Sequence, residues 1–105
     1  MGARERNKGA RGERELAAWL TERGYPARRG RQYSGSPDSP DVVCPSLPFH
    51  FEVKRTERLR LHDAVSQAIA DAGNNVPVVA HRRNGGEWLA VLRLEDLITM
   101  LEGSP

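Results

Sequence analysis

Hydrophobic positions along the chain change their period several times, and each change predicts a different element. From Glu13 to Arg23 the apolar residues recur at helical spacing, and Gly24 follows as a stop signal. From Phe49 to Arg55 the pattern alternates strictly, with one apolar and one polar side chain in turn. This period of two predicts a strand with one face in the core and the other in water.

Further changes of pattern complete the predicted order of elements. Helices are predicted at 61–72 and 94–102, and short strands around 27–29 and at 41–44, 77–81 and 87–93. The runs at 41–44 and 49–55 lie close enough to pair as a hairpin, and Asn84-Gly85-Gly86 predicts a second one. The order α-β-β-β-α-β-β-α indicates an α/β fold, with a single mixed sheet flanked by helices.

Length and composition fit one globular domain. The chain has 105 residues, 38% of them hydrophobic, and no apolar run long enough for a membrane span or a secretory leader. We therefore predict an intracellular, cytoplasmic protein. Residues 1–12 are rich in Gly and Arg and predict a flexible basic arm, followed by the folded domain at 13–105. The single Cys44 excludes an internal disulfide and is predicted to be a small buried hydrophobe.

The net charge of +2 conceals an uneven distribution along the chain. Residues 1–60 hold thirteen Lys and Arg against eight Asp and Glu, or +5, whereas residues 61–105 hold three against six, or −3. Such a one-sided positive field favours a polyanionic partner, nucleic acid first, although a plain solvated basic face has the same composition.

Three polar residues of the two predicted hairpin strands could form a catalytic site. Side chains alternate across a strand, so Glu52 and Lys54 share a face, and Asp41 opens the neighbouring strand. Two converging carboxylates suit Mg²⁺ or Mn²⁺, and a lysine beside the ion would stabilise developing negative charge. The alternative is surface decoration, because Glu-x-Lys is common on the wet face of an edge strand.

Glu13 adds a further carboxylate to this hypothesis. On a helix it shares the inward stripe of Leu16, Ala17 and Leu20. A carboxylate that faces the core needs a partner, since burying an unpaired charge is costly, and a metal ion at the end of the sheet would supply one. The alternative is a first-turn glutamate stabilised by the helix dipole.

Four segments, in order, resemble one known family. Lys8-Gly9-Ala10-Arg11-Gly12-Glu13-Arg14-Glu15-Leu16 resembles the K-G-x-x-x-E-R-E-L opening of the archaeal-type Holliday junction resolvases. The R-Q-Y-S-G-S stretch at 31–36 resembles the S-G-[SG] loop of that family. Pro40-Asp41 and Glu52-Val53-Lys54 resemble the P-D…E-x-K pattern of the PD-(D/E)XK nuclease superfamily, to which these resolvases belong. The resemblance implies a restriction-endonuclease-like fold.

The resemblance also implies a role for individual residues. Glu13, Asp41 and Glu52 would hold Mg²⁺ (or Mn²⁺) together with the carbonyl of Val53, and Lys54 would be the catalytic lysine. Ser34 or Ser36 would be the loop serine near the scissile phosphate, with the choice between them left open. Contacts to the DNA backbone are expected from a set of basic side chains: Lys8, Arg11, Arg28, Arg29, Arg31 and Arg55. His50 is predicted to face water. Gln67 resembles a glutamine that some members of the superfamily place near the site, but it is predicted to lie on the wet side of its helix.

The function implied is Mg²⁺-dependent resolution of four-way DNA junctions by a homodimer, with paired phosphodiester hydrolysis and no small-molecule cofactor. Candidates for the dimer surface are Trp88, Leu97, Met100 and Leu101, which serve equally well as core residues. Two alternatives stay open: a nuclease of the same fold that cuts flaps, nicks or single strands, and a non-catalytic DNA-binding subunit. The short chain would also suit a phage-encoded enzyme.

Overall fold

The computed structural model describes residues 3–30 and 40–103, with side chains from residue 9 onward. Its elements follow the predicted order of three helices and five strands. They are α1 (Ala3–Glu22), β1 (Arg28–Arg29), β2 (Val42–Val43), β3 (Phe49–Arg55), α2 (Leu61–Asp71), β4 (Val76–Arg82), β5 (Leu89–Val91) and α3 (Leu94–Glu102). The predicted α/β class with one mixed sheet is confirmed, and β3 and α3 have the predicted bounds.

The five strands form one sheet in the order β1-β2-β3-β4-β5. All neighbours are antiparallel except β3 and β4, which run parallel over their full length and are connected through α2. Both predicted hairpins are present, β2 with β3 and β4 with β5. The carboxyl ends of β3 and β4 therefore lie side by side at one end of the sheet.

Helices cover both faces of the central pair of strands. On one face Leu16 and Leu20 of α1 pack with Phe51 and Val53 of β3. On the other face α2 packs against Val79 of β4 in a smaller cluster. Cys44 lies in the first cluster, buried as predicted.

The prediction of a half-wet β3 was wrong, as was the prediction that His50 faces water. His50 is only 2% exposed and Glu52 only 7%, because α2 covers the face that the polar residues share. The alternating apolar and polar side chains of β3 therefore lie in two buried environments, one under α1 and one under α2. A parallel pair with a helix on each face leaves its central strands little access to water.

The predicted start of the first helix at Glu13 was wrong by ten residues, since α1 begins at Ala3 and includes most of the predicted arm. Gly12 is buried within it, and a Cβ at this position would lie 2.7 Å from Cβ of Arg55. The glycine that weakens the helical pattern thus lets α1 lie close against the end of β3. Among residues 3–30 and 40–103, no helix is long and apolar enough to cross a membrane.

Candidate active site

Asp41 is fixed by backbone hydrogen bonds on both sides. Its N–H donates to the carbonyl of Phe51 at 2.9 Å, and its own carbonyl accepts from the N–H of Gly30 at 2.9 Å. Its Oδ2 accepts a 2.8 Å hydrogen bond from the N–H of Val53. Because β2 pairs with β3 only at Val42 and Phe51, this N–H lies beyond the ladder, and the Asp41 carboxylate takes the place of a strand partner. The carboxylate is therefore held against β3.

Glu52 lies beside Asp41 and has an unusual protonation equilibrium. Burial, the negative charge of Asp41, a weaker repulsion from Asp71 and a hydrogen bond with the Asp41 side chain raise its pKa to about 7, against a smaller opposing effect of Lys54. Two carboxyl groups in contact resist simultaneous ionisation, which adds to the effect of burial on the pKa of Glu52. Lys54, two residues on, is close enough to act on the charge of Glu52 and is half-buried.

Glu13 reaches the same region from α1. Burial and, to a smaller extent, the charge of Asp41 raise its pKa, whereas a hydrogen bond from Arg29 lowers it. That bond joins Nε of Arg29 to Oε1 of Glu13 at 2.9 Å. The structure thus pairs a predicted metal ligand with a predicted DNA contact. The carboxylate of Glu13 thus interacts with both Arg29 and Asp41.

The donor set fits a hard divalent cation. Asp41 and Glu52 supply adjacent, buried carboxyl oxygens whose mutual repulsion a cation would relieve. No three Asp, Glu, His or Cys side chains converge tightly enough to hold a metal ion among residues 9–30 and 40–103. The predicted three-carboxylate set of Glu13, Asp41 and Glu52 is therefore not assembled. Of these three residues, only Asp41 and Glu52 lie in contact.

Four of the predicted site residues lie outside the described side chains: Lys8, Arg31, Ser34 and Ser36. Arg28 is exposed on β1, and Arg11 is exposed with its guanidinium 3.5 Å from Glu15. Arg29 is partly exposed beside Glu13. Arg11 and Arg29 can face a DNA backbone from the side of the sheet that carries α1, whereas alternation along β1 turns Arg28 to the opposite face.

The structure argues against a DNA contact by Arg55. Its side chain is only 7% exposed, and its guanidinium donates to Glu15 at 2.9 Å and to Oδ1 of Asn84 at 2.8 Å. The sequence shows Arg55 beside Lys54 in a basic cluster. It does not show that alternation turns Arg55 toward α1, where the carboxylate of Glu15 binds it.

Glu15 is a structural residue that the sequence analysis missed. It accepts from Arg55 and also lies within 3.3 Å of Arg82 on β4. Burial alone would raise the pKa of Glu15, but Arg55, Arg82 and Arg11 together hold it below its usual range. The result is an ionic tie between α1 and the carboxyl ends of both parallel strands.

A pocket beside Lys54 is a further feature that the sequence pattern did not predict. It has a volume of about 400 Å³ and is lined by Lys54 and by the loop and first turns that follow β3, including Arg58, Arg60 and Gln67. Gln67 is exposed on α2, as predicted, and its exposed face belongs to this pocket. The two arginines at alternate positions in T-E-R-L-R-L were the available signal.

The structure is thus an α/β fold whose mixed sheet carries Glu52 and Lys54 on β3, with Asp41 beside them. The family model of the archaeal Holliday junction resolvases (hjc) matches residues 4–102, and the chain belongs to this family. Membership identifies it as a nuclease of Holliday junctions, with branched DNA as its partner. Comparisons with curated proteins and with solved structures give no match.

The raised pKa of Glu52 makes the stability of the metal-free protein depend on pH. Its folded pKa of about 7 exceeds the ordinary 4.5, so its favourable contribution is complete below pH 4.5 and is lost as pH rises through 7. We expect Glu52→Gln to remove this loss and to raise the free energy of unfolding at pH 8 by about 1–3 kcal/mol. Denaturant unfolding in EDTA between pH 5 and 8 measures it.

Glu87→Gln is the matched control for this measurement, since Glu87 is exposed in the β4–β5 turn. Its pH profile should run parallel to that of the wild type. Parallel profiles for Glu52→Gln and the wild type would contradict the raised pKa of Glu52.

Proposed function

We propose that this protein is a Mg²⁺-dependent endodeoxyribonuclease that resolves four-way DNA junctions by paired phosphodiester hydrolysis. The observation that carries the proposal is the buried carboxyl pair of Asp41 and Glu52, with Lys54 on the same strand and an open pocket next to it. A carboxyl pair that resists double ionisation in an otherwise basic half of the chain is suited to a divalent cation between protein and DNA.

Each residue has a distinct part in the proposed reaction. Asp41 and Glu52 would hold Mg²⁺, with the Val53 carbonyl as a further ligand. When bound, the ion would polarise the scissile phosphate and lower the pKa of an attacking water. Lys54 would stabilise the negative charge that develops on the phosphate. Ser34 or Ser36 and the basic residues Lys8, Arg11, Arg28, Arg29 and Arg31 would position the DNA.

Glu13 would regulate the charge of this site in the proposal. Its carboxylate acts on Asp41 and accepts the hydrogen bond from Arg29. Arrival of a DNA phosphate at Arg29 would compete for that hydrogen bond, and the released carboxylate would then face the cation. Substrate binding and assembly of the carboxylate set would in this way be coupled.

A panel of DNA structures tests the proposal. Labelled four-way junction, flap, nicked duplex, duplex and single strand are incubated with the protein in Mg²⁺, Mn²⁺ or EDTA. Symmetric cuts in the junction, dependent on the metal, are expected. Preferred cutting of flaps, nicks or single strands would instead assign a nuclease of other specificity. Tight junction binding with no cutting in any metal would identify a non-catalytic DNA-binding protein.

Paired cutting requires two sites, and α3 offers a surface for a second copy of the chain. This helix has no buried residue, and its exposed apolar side chains recur at helical spacing as Leu94, Leu97, Ile98 and Leu101. Of the other predicted dimer candidates, Trp88 packs against the core instead. Sizing of the wild type and of Leu97→Glu/Leu101→Glu tests this surface, with a dimer expected for the first and a monomer for the second.

A further inference from the structure

The pocket beside Lys54 is lined by more positive than negative side chains. Its volume of about 400 Å³ is bounded by Lys54 at one end and by Arg58, Arg60 and Asp63 along the loop and the start of α2. Three cationic side chains thus face one carboxylate. Arg60 is also the N-cap residue of α2, and no side chain caps this helix, so its first N–H groups add to the positive potential.

Among the described side chains, Arg58 and Arg60 differ in their pairing from five other arginines of this fold. Within the part of the chain whose side chains are described, a carboxylate binds each of Arg11, Arg29, Arg55, Arg82 and Arg93. In that same part, no carboxylate pairs with either Arg58 or Arg60. Both are exposed. Their charge is therefore available to an anion from outside.

The loop that carries the two arginines is held in place on both sides. The N–H of Thr56 donates to the carbonyl of Arg82 at 3.2 Å, and its own carbonyl lies 2.8 Å from Nε2 of His81. Leu59, between the two arginines, packs against the core cluster under α2. With Leu59 turned inward, Arg58 and Arg60 both project toward the pocket. A site fixed in this way loses less entropy when a ligand binds.

We propose that this pocket is a phosphate subsite for the DNA strand that is cut. Arg58 and Arg60 bind a backbone phosphate next to the one that lies at Lys54, and so set the path of the strand across the carboxyl end of β3. Guanidinium groups suit this task because their fork of donors matches phosphate oxygens. The proposal rests on the proposed nuclease function for the identity of the strand, and on the pocket itself for the phosphate.

The test compares Arg58→Ala/Arg60→Ala with a control of equal charge loss, Arg23→Ala/Arg93→Ala. Arg23 follows α1 and stacks on Trp19, at the end of the helix far from Gly12 and β3. Arg93 follows β5, whose antiparallel register puts it beside the start of β4. Both control residues thus lie at the opposite end of the sheet. Thermal unfolding establishes that all variants are folded.

Binding of a synthetic four-way junction is measured in Ca²⁺ over a series of salt concentrations. For Arg58→Ala/Arg60→Ala we expect affinity to fall roughly tenfold and the slope of log K against log salt to decrease by about 1. Cleavage in Mg²⁺ should show the loss in KM, with kcat within about threefold of wild type. An affinity and slope equal to those of the control double variant would overturn the subsite.

Two further measurements distinguish failure of the phosphate subsite from failure of the proposed nuclease function. Free phosphate is the competing ligand, and saturable binding of inorganic phosphate with an unchanged DNA slope in Arg58→Ala/Arg60→Ala would overturn the DNA assignment. Wild-type protein that binds the junction and cuts nothing would disprove the proposed nuclease function alone, because the salt slope still measures the pocket. A tenfold loss confined to kcat would also overturn a positioning role.

Discussion

Asp41→Asn is expected to slow junction cleavage by a factor of roughly 10³ or more, with DNA affinity within about threefold of wild type. The amide oxygen can still accept the N–H of Val53, so the backbone around the site should be preserved. What is lost is the negative charge that acts on Glu52 and that a divalent cation requires. Single-turnover cleavage in Mg²⁺ and equilibrium binding in Ca²⁺ measure the two quantities.

The matched control is Asp96→Asn. Asp96 is also bound to a neighbouring group, Nε of Arg93 at 2.9 Å, but it lies on α3 away from the carboxyl pair. The Asp96→Asn variant should cleave the junction at the wild-type rate. Equal cleavage rates for Asp41→Asn and Asp96→Asn would show that Asp41 takes no part in the reaction and would contradict the proposed site. A fall in affinity as large as the fall in rate would show that Asp41 acts in binding instead.

Gly30→Ala is expected to lower the free energy of unfolding by about 3 kcal/mol and to reduce cleavage at least tenfold. A Cβ at Gly30 would lie 1.9 Å from the carbonyl oxygen of Pro40, which is backbone and cannot swing away. Gly30 also donates its N–H to the carbonyl of Asp41, so relief of the clash must move β1 or Asp41, the residue proposed to hold the metal ion. Denaturant unfolding measures the stability, and cleavage is assayed at a temperature where the variant is folded.

Gly9→Ala is the matched control for Gly30→Ala. Gly9 lies in the interior of α1, and a Cβ there would meet no atom within 4 Å. Its replacement should stabilise the protein by about 0.5–1 kcal/mol through the higher helix propensity of alanine. If Gly30→Ala unfolds at the same denaturant concentration as the wild type, the close approach of Gly30 to Pro40 is wrong.

The order of elements was accessible from sequence because each element has a strong local signal. Strict alternation gave the bounds of β3, and the apolar spacing of α3 gave its bounds as well. Pairing of Asp41 with Glu52 was also accessible, since a hairpin brings the start of one strand beside the other and alternation fixes the shared face. These inferences need only neighbouring residues and one turn.

The failures concern contacts between elements that are distant along the chain. Whether His50 meets water depends on α2, which crosses the polar face of β3. Whether Arg55 meets DNA depends on Glu15, forty residues earlier. The close packing of α1 against the end of β3 depends on the glycine at position 12, because a Cβ there would meet Arg55. Alternation identifies the face of a side chain but not the element that covers that face.

The position of α3 has a consequence for how the fold opens. No side chain of this helix is buried, so little free energy separates its folded form from a frayed one. Its amide hydrogens should therefore exchange with solvent through local opening, long before β3 and β4 lose their protection. If a second copy covers the leucines of α3, that exchange slows with rising protein concentration, and the melting temperature rises with it. Dilution would then loosen the end of the chain and separate the two cutting sites in one step.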